Sequence, residues 1–445
     1  MKDNKQIVYF ESLGCDKNLV DSEVMLGMLS QAGYGMTMDP NEAEAIVINT
    51  CSFIHDAKEE SINTILEFAE LKHTGKLKAL VVVGCLTQLY QEEVMKEIEE
   101  VDAILGAANY DRILEAIEEA LKGNKYVEFD TIDHQPDVFI ERTTETTKHY
   151  AYLKIAEGCD NHCTYCIIPK LRGKFRSRQL ESLIEETKYL VSMGKTEIIL
   201  VAQDVGKYGL DIYGERRLTS LLEEIAGIEG VKWIRLLYVY PEDVTDELIE
   251  TIASNDKVLH YIDMPLQHID DWILKKMARK SRKEAIVQKI NKLRTRIPDM
   301  CIRTTFIVGF PGETDEMFNN LYDFVKEMKL DRVGVFTYSR EENTPAYDMD
   351  NQVDEEVSKS RQEKIMMEQM GISEEKNQEM IGKELEVIVD GYVPSEEVYL
   401  ARSYKDTPDV DGYVFVESET ELLSGDYIRV VITGANEYDL IGERI

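Results

Sequence analysis

Residues 157–178 read EGCDNHCTYCIIPKLRGKFRSR, and this stretch carries the strongest chemical signal in the chain. It places three cysteines, Cys159, Cys163 and Cys166, within eight positions and follows them with a basic tail. Thiolates are the usual protein ligands of iron–sulfur clusters, and a short loop of this kind can wrap a cuboidal cluster. Three cysteines bind three irons and leave the fourth open, so the spacing predicts a cluster with one open coordination position.

Zinc is the alternative for this loop. A structural zinc site takes four protein ligands, and His162 is the nearest candidate for the fourth. Because His162 is adjacent to Cys163 in the chain, placing both side chains in one tetrahedron would strain the loop. An iron–sulfur cluster is therefore favoured over zinc.

A second set of cysteines is spread along the first part of the chain. Cys15, Cys51 and Cys85 are 36 and 34 positions apart, and each ends a strand-like run that reads ESLGC, VINTC or VVVGC. The carboxyl ends of parallel strands share one edge of a sheet, where such folds bind ligands. The alternative is three ordinary core cysteines, since cysteine is often buried. The matching placement at three strand ends favours a shared site.

Composition narrows the class of protein. The chain has 445 residues, with 51 Lys and Arg against 85 Asp and Glu, for a net charge of −34. Such a surface repels nucleic acid and favours basic partners, although acidity also serves simply to keep a protein dissolved. The start, MKDNKQIVYF, lacks the apolar core of a signal peptide, and no apolar run approaches the roughly 20 residues that cross a bilayer. We expect a cytoplasmic protein without membrane contact, whose seven cysteines serve metal or redox chemistry.

The first 122 residues alternate strand-like and helical patterns. Apolar runs such as AIVINTC and ALVVVGC are each followed by residues with apolar positions at helical spacing. This alternation predicts an N-terminal domain, residues 1–122, with a parallel sheet covered by helices on both faces. Residues 123–148 are polar, include ERTTETTK, and are expected to be a linker.

Two further patterns follow. Residues 149–380 restart the alternation with six strand–helix units, which predict an open or partial βα barrel. Residues 381–445 hold five short strand-like runs separated by turn residues, which predict a small antiparallel β-barrel of OB-like type. The predicted fold class is α/β, with a parallel-sheet domain, a central open barrel and a small C-terminal β-barrel.

A loop with the spacing of residues 159–166, placed after the first strand of a βα barrel, resembles the radical S-adenosylmethionine (SAM) superfamily. The resemblance implies a [4Fe–4S] cluster on its three cysteines, with the open iron bound by the amino and carboxylate groups of SAM. One electron from an external donor then cleaves SAM to a 5′-deoxyadenosyl radical. It also implies that Tyr165 lies beside the adenine and that Gly309, in the turn GFPGET, lines the SAM pocket. Ordinary packing of Tyr165 and an ordinary strand-to-helix turn are the alternatives.

The order of segments along the whole chain resembles the methylthiotransferase family, which has an N-terminal iron–sulfur domain, a radical SAM core and a TRAM domain. The resemblance implies that Cys15, Cys51 and Cys85 hold a second [4Fe–4S] cluster, whose open iron binds or supplies sulfur. In that family a methyl group goes to sulfur, a radical removes hydrogen from an unactivated C–H bond, and a C–S bond forms. One cysteine set would make the radical and the other would deliver sulfur.

Two branches of this family differ in substrate. One modifies adenosines in tRNA, and the other methylthiolates the β-carbon of an aspartate in ribosomal protein S12. Four stretches resemble the S12 branch: ESLGCDKNLVDSE at 11–23, CIIPKLRGKFRSR at 166–178, PLQHI at 265–269 and YSREENTPA at 338–346. The tRNA branch more often has PVQSG and YSPRPGTPA at the last two places.

The charge of residues 381–445 also favours the S12 branch, independently of these stretches. Residues 381–445 contain 15 acidic and five basic side chains, for a net charge of −10. A domain that grips tRNA phosphates needs Lys and Arg at its surface, whereas an acidic domain suits a basic ribosomal protein. We therefore expect S12 as the partner, with nucleic-acid contact secondary. The alternatives are a tRNA adenosine methylthiotransferase and, in another class, a non-catalytic iron–sulfur protein associated with translation.

The remaining candidates carry weaker signals. The basic tail could touch nucleic acid, and binding of the SAM carboxylate or a solvated face is favoured over that. Its basic residues are Lys170, Arg172, Lys174, Arg176 and Arg178. Cys301, in the apolar run CIRTTFIVGF, is expected to be a buried core thiol. Asp263, Gln203 and His268 lie at predicted strand ends that face the proposed site, and the sequence assigns them no role.

Overall fold

The computed structural model describes residues 6–134, 141–144 and 149–445. Of the predicted linker, residues 135–140 and 145–148 lie outside the described residues. The described chain forms two parallel six-stranded sheets, a short two-stranded ribbon and one closed five-stranded barrel. The predicted fold class is confirmed.

The N-terminal sheet is built from short, strongly apolar strands. Its strands are β1 (Ile7–Ser12), β2 (Gly35–Met36), β3 (Ala45–Thr50), β4 (Ala79–Gly84), β5 (Ala103–Gly106) and β6 (Tyr126–Glu128). Its helices are α1 (Asp16–Gln31), α2 (His55–Ala69), α3 (Leu71–Thr74), α4 (Cys85–Tyr90), α5 (Glu93–Glu97) and α6 (Ile113–Leu121). Strands β3 and β4 are buried along their whole length, as expected for central parallel strands covered on both faces.

The strand order β2-β1-β3-β4-β5-β6 is that of a doubly wound sheet. All of its strand pairs are parallel. The carboxyl ends of β1, β3 and β4, which precede the first three cysteines, are therefore neighbours at one edge. Strand β6 lies inside the stretch expected to be a linker and pairs with β5, so this part of the stretch belongs to the sheet.

The central domain repeats the same logic with a more curved sheet. Its strands are β7 (Tyr150–Lys154), β8 (Ala156–Glu157), β9 (Arg176–Ser177), β10 (Glu197–Val201), β11 (Trp233–Leu236), β12 (Val258–Asp263), β13 (Cys301–Val308) and β14 (Arg332–Thr337). Its helices are α7 (Ile168–Arg172), α8 (Leu180–Ser192), α9 (Leu210–Tyr213), α10 (Leu218–Ala226), α11 (Asp246–Ser254), α12 (Asp271–Lys276), α13 (Lys283–Arg296), α14 (Asp315–Met328) and α15 (Glu355–Gln378). Short 3-10 helices at Pro40–Glu42, Tyr110–Arg112, Val205–Lys207, Pro241–Asp243 and Pro345–Asp348 complete the helical segments of the described chain.

The central sheet has the order β14-β13-β12-β11-β10-β7, with β8 and β9 as a separate antiparallel ribbon. Strands β7 and β14 are its two edges, so the barrel is open, as predicted. The outer face of the sheet packs on the helices in the largest apolar cluster of the described residues. The inner face packs instead on the C-terminal barrel, in a cluster that joins Trp233, Tyr261 and Cys301 to Ile388.

The C-terminal barrel is formed by β15 (Glu384–Val393), β16 (Val398–Ser403), β17 (Val414–Glu417), β18 (Tyr427–Ala435) and β19 (Leu440–Arg444). It closes in the order β15-β16-β17-β19-β18. The prediction of an antiparallel barrel is right for four of the strand pairs, but β17 and β19 pair in parallel. Parallel pairing at this point lets the last strand close the barrel beside β17.

A buried ion network joins the barrel to the central sheet. Glu197 lies at the inner face of β10, and its two carboxylate oxygens accept from Arg235 and Arg402, each at 2.8 Å. All three side chains are almost wholly buried. Burial opposes ionisation of Glu197, and the two guanidinium groups overcome it, so its pKa is lowered. Trp233 and Tyr427 stack edge to face across the same junction, with ring centroids 5.1 Å apart.

The described part of the predicted linker contains a buried charge that its polar composition did not reveal. Arg142 is 0% exposed and pairs with Glu23 of α1 and Glu186 of α8. The backbone of Thr143 donates to Glu23 as well. These residues therefore tie the N-terminal helix to the central domain.

No helix in the described chain is long and apolar enough to span a bilayer.

Replacing Glu197 by Gln should release the C-terminal barrel. The change leaves two buried guanidinium groups without their shared countercharge, and breaking a buried ion pair in this way costs about 3–5 kcal/mol. We expect the urea midpoint reported by Trp233 fluorescence, in a Trp272→Phe background, to fall clearly. Glu250→Gln removes a surface ion pair and is the matched control, because exposed pairs contribute little. Equal midpoints for the two variants would contradict the prediction.

Candidate active site

Three of the predicted cysteines meet at one edge of the N-terminal sheet. We call Cys15, Cys51 and Cys85 the strand-end set. Cys15 follows β1 and is exposed, Cys51 follows β3 and is buried, and Cys85 is the first residue of α4 and is buried. Gly14, with a φ of +92°, has no room for a side chain, since a Cβ there would lie 2.8 Å from the Cβ of Cys51. The first two cysteine loops are therefore in direct contact.

Side-chain hydrogen bonds hold these loops in place. Asn18 Nδ2 donates to the carbonyls of Leu13, at 2.9 Å, and of Thr50, at 3.1 Å, and so ties the Cys15 loop to the Cys51 loop. Thr50 Oγ1 donates to Val83 O at 2.6 Å and accepts from the backbone N–H of Leu86 at 3.3 Å. The second bond pair ties the Cys51 loop to the Cys85 loop.

Burial opposes ionisation of Cys51 and Cys85. It raises the pKa of Cys51 and raises that of Cys85 to about 11, and the neighbouring thiols act in the same direction. The guanidinium of Arg172, from the central domain, acts in the opposite direction on the pKa of Cys85. Metal binding needs the thiolate form, so Arg172 favours the form that binds metal.

The other three cysteines share the segment between β8 and α7. We call Cys159, Cys163 and Cys166 the loop set. The backbone of this segment bonds to itself and to its surroundings, with Cys166 N donating to Cys163 O at 3.0 Å and Cys159 N to Gly173 O at 3.1 Å. Burial raises the pKa of Cys159 to about 11 and also raises that of Cys166. His162, the candidate zinc ligand, is exposed.

Arg279 and Tyr240 flank Cys163 and were not found by sequence reasoning. Arg279 Nη1 lies 3.9 Å from Cys163 Sγ, and its Nη2 donates to Pro265 O at 2.6 Å. Its guanidinium stacks 4.1 Å from the centre of the Tyr240 ring, and Tyr240 Oη lies 4.0 Å from the same sulfur. Arg279 is buried, although it stands in the run KKMARKSR, whose charge is typical of a solvated helix end.

The two cysteine sets lie side by side. Cys85 belongs to a small buried cluster with Ala107, Ile167 and Leu171, and Ile167 directly follows Cys166. Arg172, further along the same helix, donates to Asn18 in the N-terminal domain. The strand-end set therefore faces the segment that carries the loop set.

Several buried polar atoms beside these cysteines have no partner within the described residues. Two of these atoms are Asp16 Oδ2 and Ser52 Oγ, whose residues directly follow Cys15 and Cys51. The other two are Gln203 Oε1 and Asp204 Oδ1. The Gln203 side chain bonds to Glu157 at the end of β8, and the Asp204 side chain bonds to Asn161 of the loop-set segment. Buried polar groups normally have partners, so these atoms fit a site that binds further groups.

A single metal ion, unlike an iron–sulfur cluster, needs several ligand side chains close enough together to bind one atom. Within the part of the chain that the structure describes, no group of three or more His, Cys, Asp or Glu side chains is placed to hold one metal ion. Iron–sulfur clusters are held by thiolates on several irons.

Tyr165 and the turn GFPGET come together in one apolar cluster. Tyr165 packs there with Phe310, Ile273 and Met277. Gly309 has a φ of +76°, and a Cβ on it would lie 1.9 Å from Ser358 Oγ of α15. Close packing against α15 thus requires a glycine at position 309, and Tyr165 packs in the same cluster as Phe310 of this turn.

The three strand-end polar residues have separate places. Asp263 is buried at the end of β12 and accepts from Arg303 Nη1 at 3.0 Å. Gln203 Nε2 donates to Glu157 at 3.0 Å. His268 is wholly buried and lies 3.4 Å from Glu313 of the GFPGET turn, so it braces that turn. Cys301 is a buried thiol at the junction with the barrel, as predicted.

The basic tail is mostly internal, which corrects the expectation of a solvated face. Arg172 is buried and donates to Asp21 at 2.7 Å and to Glu157 at 3.1 Å. Arg176 pairs with Asp133, and Arg178 pairs with Glu186. Only Lys170 and Lys174 of the five are exposed. Charge alternation along a short segment could not distinguish a buried guanidinium with partners from one in water.

Family models match three parts of the chain. Residues 7–106 match a family described as "Uncharacterized protein family UPF0004". Residues 153–325 match the radical SAM superfamily, and residues 381–445 match the TRAM domain. The three matches follow the order of the three domains.

Curated relatives are similar over almost the whole chain. A protein from Lachnoclostridium phytofermentans is 50% identical over 435 residues, which cover 98% of this chain and 99% of the relative. One from Clostridioides difficile is 50% identical over 98% of each chain. One from Thermoanaerobacter is 49% identical over 97% of this chain and 98% of its own. Each is described as "Ribosomal protein uS12 methylthiotransferase RimO".

Solved structures share the fold at low identity. The radical SAM methyltransferase TsrM from Kitasatospora setae, with cobalamin and a [4Fe-4S] cluster bound, aligns with a TM-score of 0.57 at 14% identity over 77% of each chain. The cobalamin-dependent SAM radical enzyme OxsB aligns with a TM-score of 0.51 at 11% identity, over 82% of this chain and 56% of its own. These likenesses concern the fold alone.

Gly309→Ala should destabilise the central domain because the new Cβ overlaps Ser358. A left-handed conformation alone costs a non-glycine residue about 1–2 kcal/mol, and the overlap adds to it. Gly214→Ala is the matched control, since Gly214 has a φ of +77° with nothing within 4 Å. We expect a larger fall in thermal stability for Gly309→Ala than for Gly214→Ala, and partial recovery when Ser358→Gly is added. Equal losses without recovery would show that packing does not require this glycine.

Proposed function

The chain belongs to the ribosomal protein uS12 methylthiotransferase family, and we propose that it is a radical SAM methylthiotransferase that methylthiolates the β-carbon of an aspartate in ribosomal protein S12. Near full-length similarity to curated members of that family supports the assignment. The observation that carries it is the packing of Cys85 in one buried cluster with Ile167, the neighbour of Cys166. Radical formation and sulfur delivery must act on one carbon, and this shared cluster brings the two cysteine sets together.

SAM and two [4Fe–4S] clusters are the cofactors. The donor chemistry fits, because each cysteine set offers three thiols and because buried polar atoms without partners in the described chain lie beside both sets. We propose that the loop set holds the cluster that binds SAM and that the strand-end set holds the second cluster. When bound, these groups supply one-electron cleavage of SAM, the sulfur and the methyl group. An external one-electron donor is required.

The chain's own residues place positive charge beside the cysteines and exclude water from them. Arg172 lies close enough to Cys85 to favour its thiolate, and Arg279 Nη1 lies 3.9 Å from Cys163 Sγ. Both guanidinium groups are buried, where charges act more strongly than in water. Five of the six cysteines in the two sets are buried or half-buried, which keeps water away from the reacting groups. We further propose that Tyr165 and Gly309 border the bound SAM.

The substrate side of the proposal rests on the C-terminal barrel. We take residues 1–122 as the cluster domain, 149–380 as the radical SAM core and 381–445 as the TRAM domain, with residues 123–148 as a linker whose strand β6 adds to the N-terminal sheet. Exposed carboxylates cover much of the TRAM surface, among them Glu417, Glu419 and Glu421. Such a surface attracts a basic ribosomal protein and disfavours tRNA phosphates.

The two cysteine sets should separate by function. Anaerobic reconstitution should give about eight iron per chain for two four-iron clusters. Cys163→Ala should keep about four iron and lose reductive SAM cleavage, and Cys85→Ala should keep about four iron and cleave SAM without methylthiolated product. Cys301→Ala, a buried thiol outside both sets, is the control and should keep full iron. Loss of SAM cleavage in both variants, with the remaining cluster intact, would contradict this division.

S12 should be methylthiolated and tRNA should not when both are offered to the reconstituted enzyme, as measured by mass spectrometry of each substrate. Binding of S12 should weaken as salt rises, because screening reduces attraction between exposed charges. Combined charge reversal at Glu417→Lys, Glu419→Lys and Glu421→Lys should weaken S12 binding while sparing SAM cleavage.

The matched control makes the same change in net charge on the outer helices of the central domain. Its substitutions are Glu284→Lys, Asp323→Lys and Glu327→Lys, all at exposed positions. Equal weakening by both triple variants would show that the barrel has no special part in binding S12. Methylthiolated adenosine in tRNA, with unmodified S12, would replace the proposed function by the tRNA alternative.

A further inference from the structure

Arg303 stands on the inner face of β13, between the barrel and the loop set. The outward residues of this strand are buried against the helices, and they are Ile302, Thr304, Phe306 and Val308. The inward residues above the barrel are only half-buried, and they are Arg303, Thr305 and Ile307. Ile307 packs in the cluster that contains Tyr165, whereas Cys301, at the start of the strand, packs on the barrel. The inner face is therefore accessible at Arg303.

Two fixed carboxylates orient the guanidinium of Arg303. Its Nη1 donates to Asp263 Oδ1 at 3.0 Å, and its Nε lies 3.6 Å from Asp411 Oδ1 of the barrel. Asp263 also accepts from the backbone N–H of Tyr238 at 3.2 Å, and Asp411 accepts from the Tyr261 hydroxyl at 2.8 Å. Both carboxylates are thus held by bonds of their own, and they fix the plane of the guanidinium.

One edge of this guanidinium is not used by the protein. Nη2 of Arg303 makes no hydrogen bond to any residue that the structure describes. The side chain of Arg303 is 22% exposed, against 1% for Asp263 and 4% for Asp411. Its neighbour in register on β14, Arg332, is 12% exposed and is bound to Asp406 of the barrel at 2.7 Å. Arg332 therefore has a structural partner in the barrel and is less exposed than Arg303.

Contacts connect Arg303 to the strand-end set through two residues, Asp263 and Tyr238. Tyr238, whose backbone bonds to Asp263, has its hydroxyl 3.5 Å from Asp16 Oδ1 and its ring centre 3.7 Å from Lys17 Nζ. Asp16 and Lys17 directly follow Cys15. Lys17 pairs with Asp16 at 2.8 Å, so an ion pair of the strand-end loop lies on the other side of Tyr238.

We propose that Arg303 binds the side-chain carboxylate of the substrate aspartate. This inference rests on the proposed function, in which the reacting carbon is bonded directly to that carboxylate. A planar guanidinium binds a carboxylate with defined direction, so holding this group also fixes the position of the β-carbon at the inner face of the central sheet. The same contact distinguishes aspartate from asparagine, since an amide has no charge to pair with Arg303.

The test is a double-mutant cycle between Arg303 and the substrate carboxylate. Binding of S12, and of S12 with its target Asp replaced by Asn, is measured for the reconstituted wild type, Arg303→Gln and Arg303→Lys. Wild type should bind the Asp form about tenfold more tightly, as expected for a hydrogen bond between charged groups. Arg303→Gln should bind both forms equally. Arg303→Lys keeps the charge without the planar fork and should discriminate less than wild type, so it provides the test if Arg303→Gln does not fold.

Arg332→Gln is the matched control, because it removes a guanidinium from the neighbouring strand without touching the open edge of Arg303. It should keep the wild-type preference for the Asp form. The assignment of the carboxylate to Arg303 is wrong if Arg303→Gln or Arg303→Lys prefers the Asp form as strongly as wild type does. It is also wrong if Arg332→Gln loses this preference. In both cases the proposed function stands as long as the wild type methylthiolates S12. Failure of the wild type to methylthiolate S12 at all would overturn the proposed function, and this inference with it.

Discussion

The buried guanidinium of Arg172 is the interaction on which the arrangement of the two cysteine sets depends. Arg172 is the last residue of α7, the short helix that follows the loop set. Its partners Asn18 and Asp21 nevertheless belong to the helix that follows Cys15. Glu157, two residues before Cys159, is the third partner. A buried charge that loses its partner destabilises a protein by several kcal/mol, so these groups stay together. The N-terminal sheet is thereby held with its cysteine edge against the central domain.

Charged pairs lie beside the apolar cluster on the inner face of the central sheet. Arg235, Arg303 and Arg332 all point inward, and each is paired with a carboxylate. The barrel supplies Asp406 and Asp411 to this set, so part of its excess of acidic residues is used inside the molecule. The acidity that faces solvent is carried by other residues, such as Glu417 and Glu419. A count of charges over the domain therefore combines an internal role with a surface role.

The sequence identified residues well where one residue type has few uses. Cysteines at strand ends and in a short loop were found because thiols are scarce and their spacing is periodic. The burial of three arginines was not predicted, for the opposite reason. Arg172, Arg279 and Arg142 stand in polar or basic stretches that are typical of solvated surface, and all three are buried. Whether a guanidinium meets water or a carboxylate depends on partners that are distant in the chain, such as Glu23 for Arg142.

The sequence by itself determined the three-domain order, the parallel and barrel sheets, and the membership of the two cysteine sets. These features follow from local patterns, because the period of apolar residues and the spacing of cysteines can be read within one element or one repeat. Only the tertiary structure decided that Cys85 packs beside Ile167, that Arg303 keeps an open edge, and that β17 pairs in parallel with β19. Each of these depends on how separate elements are placed in space, and a linear pattern carries no information about the distance between them.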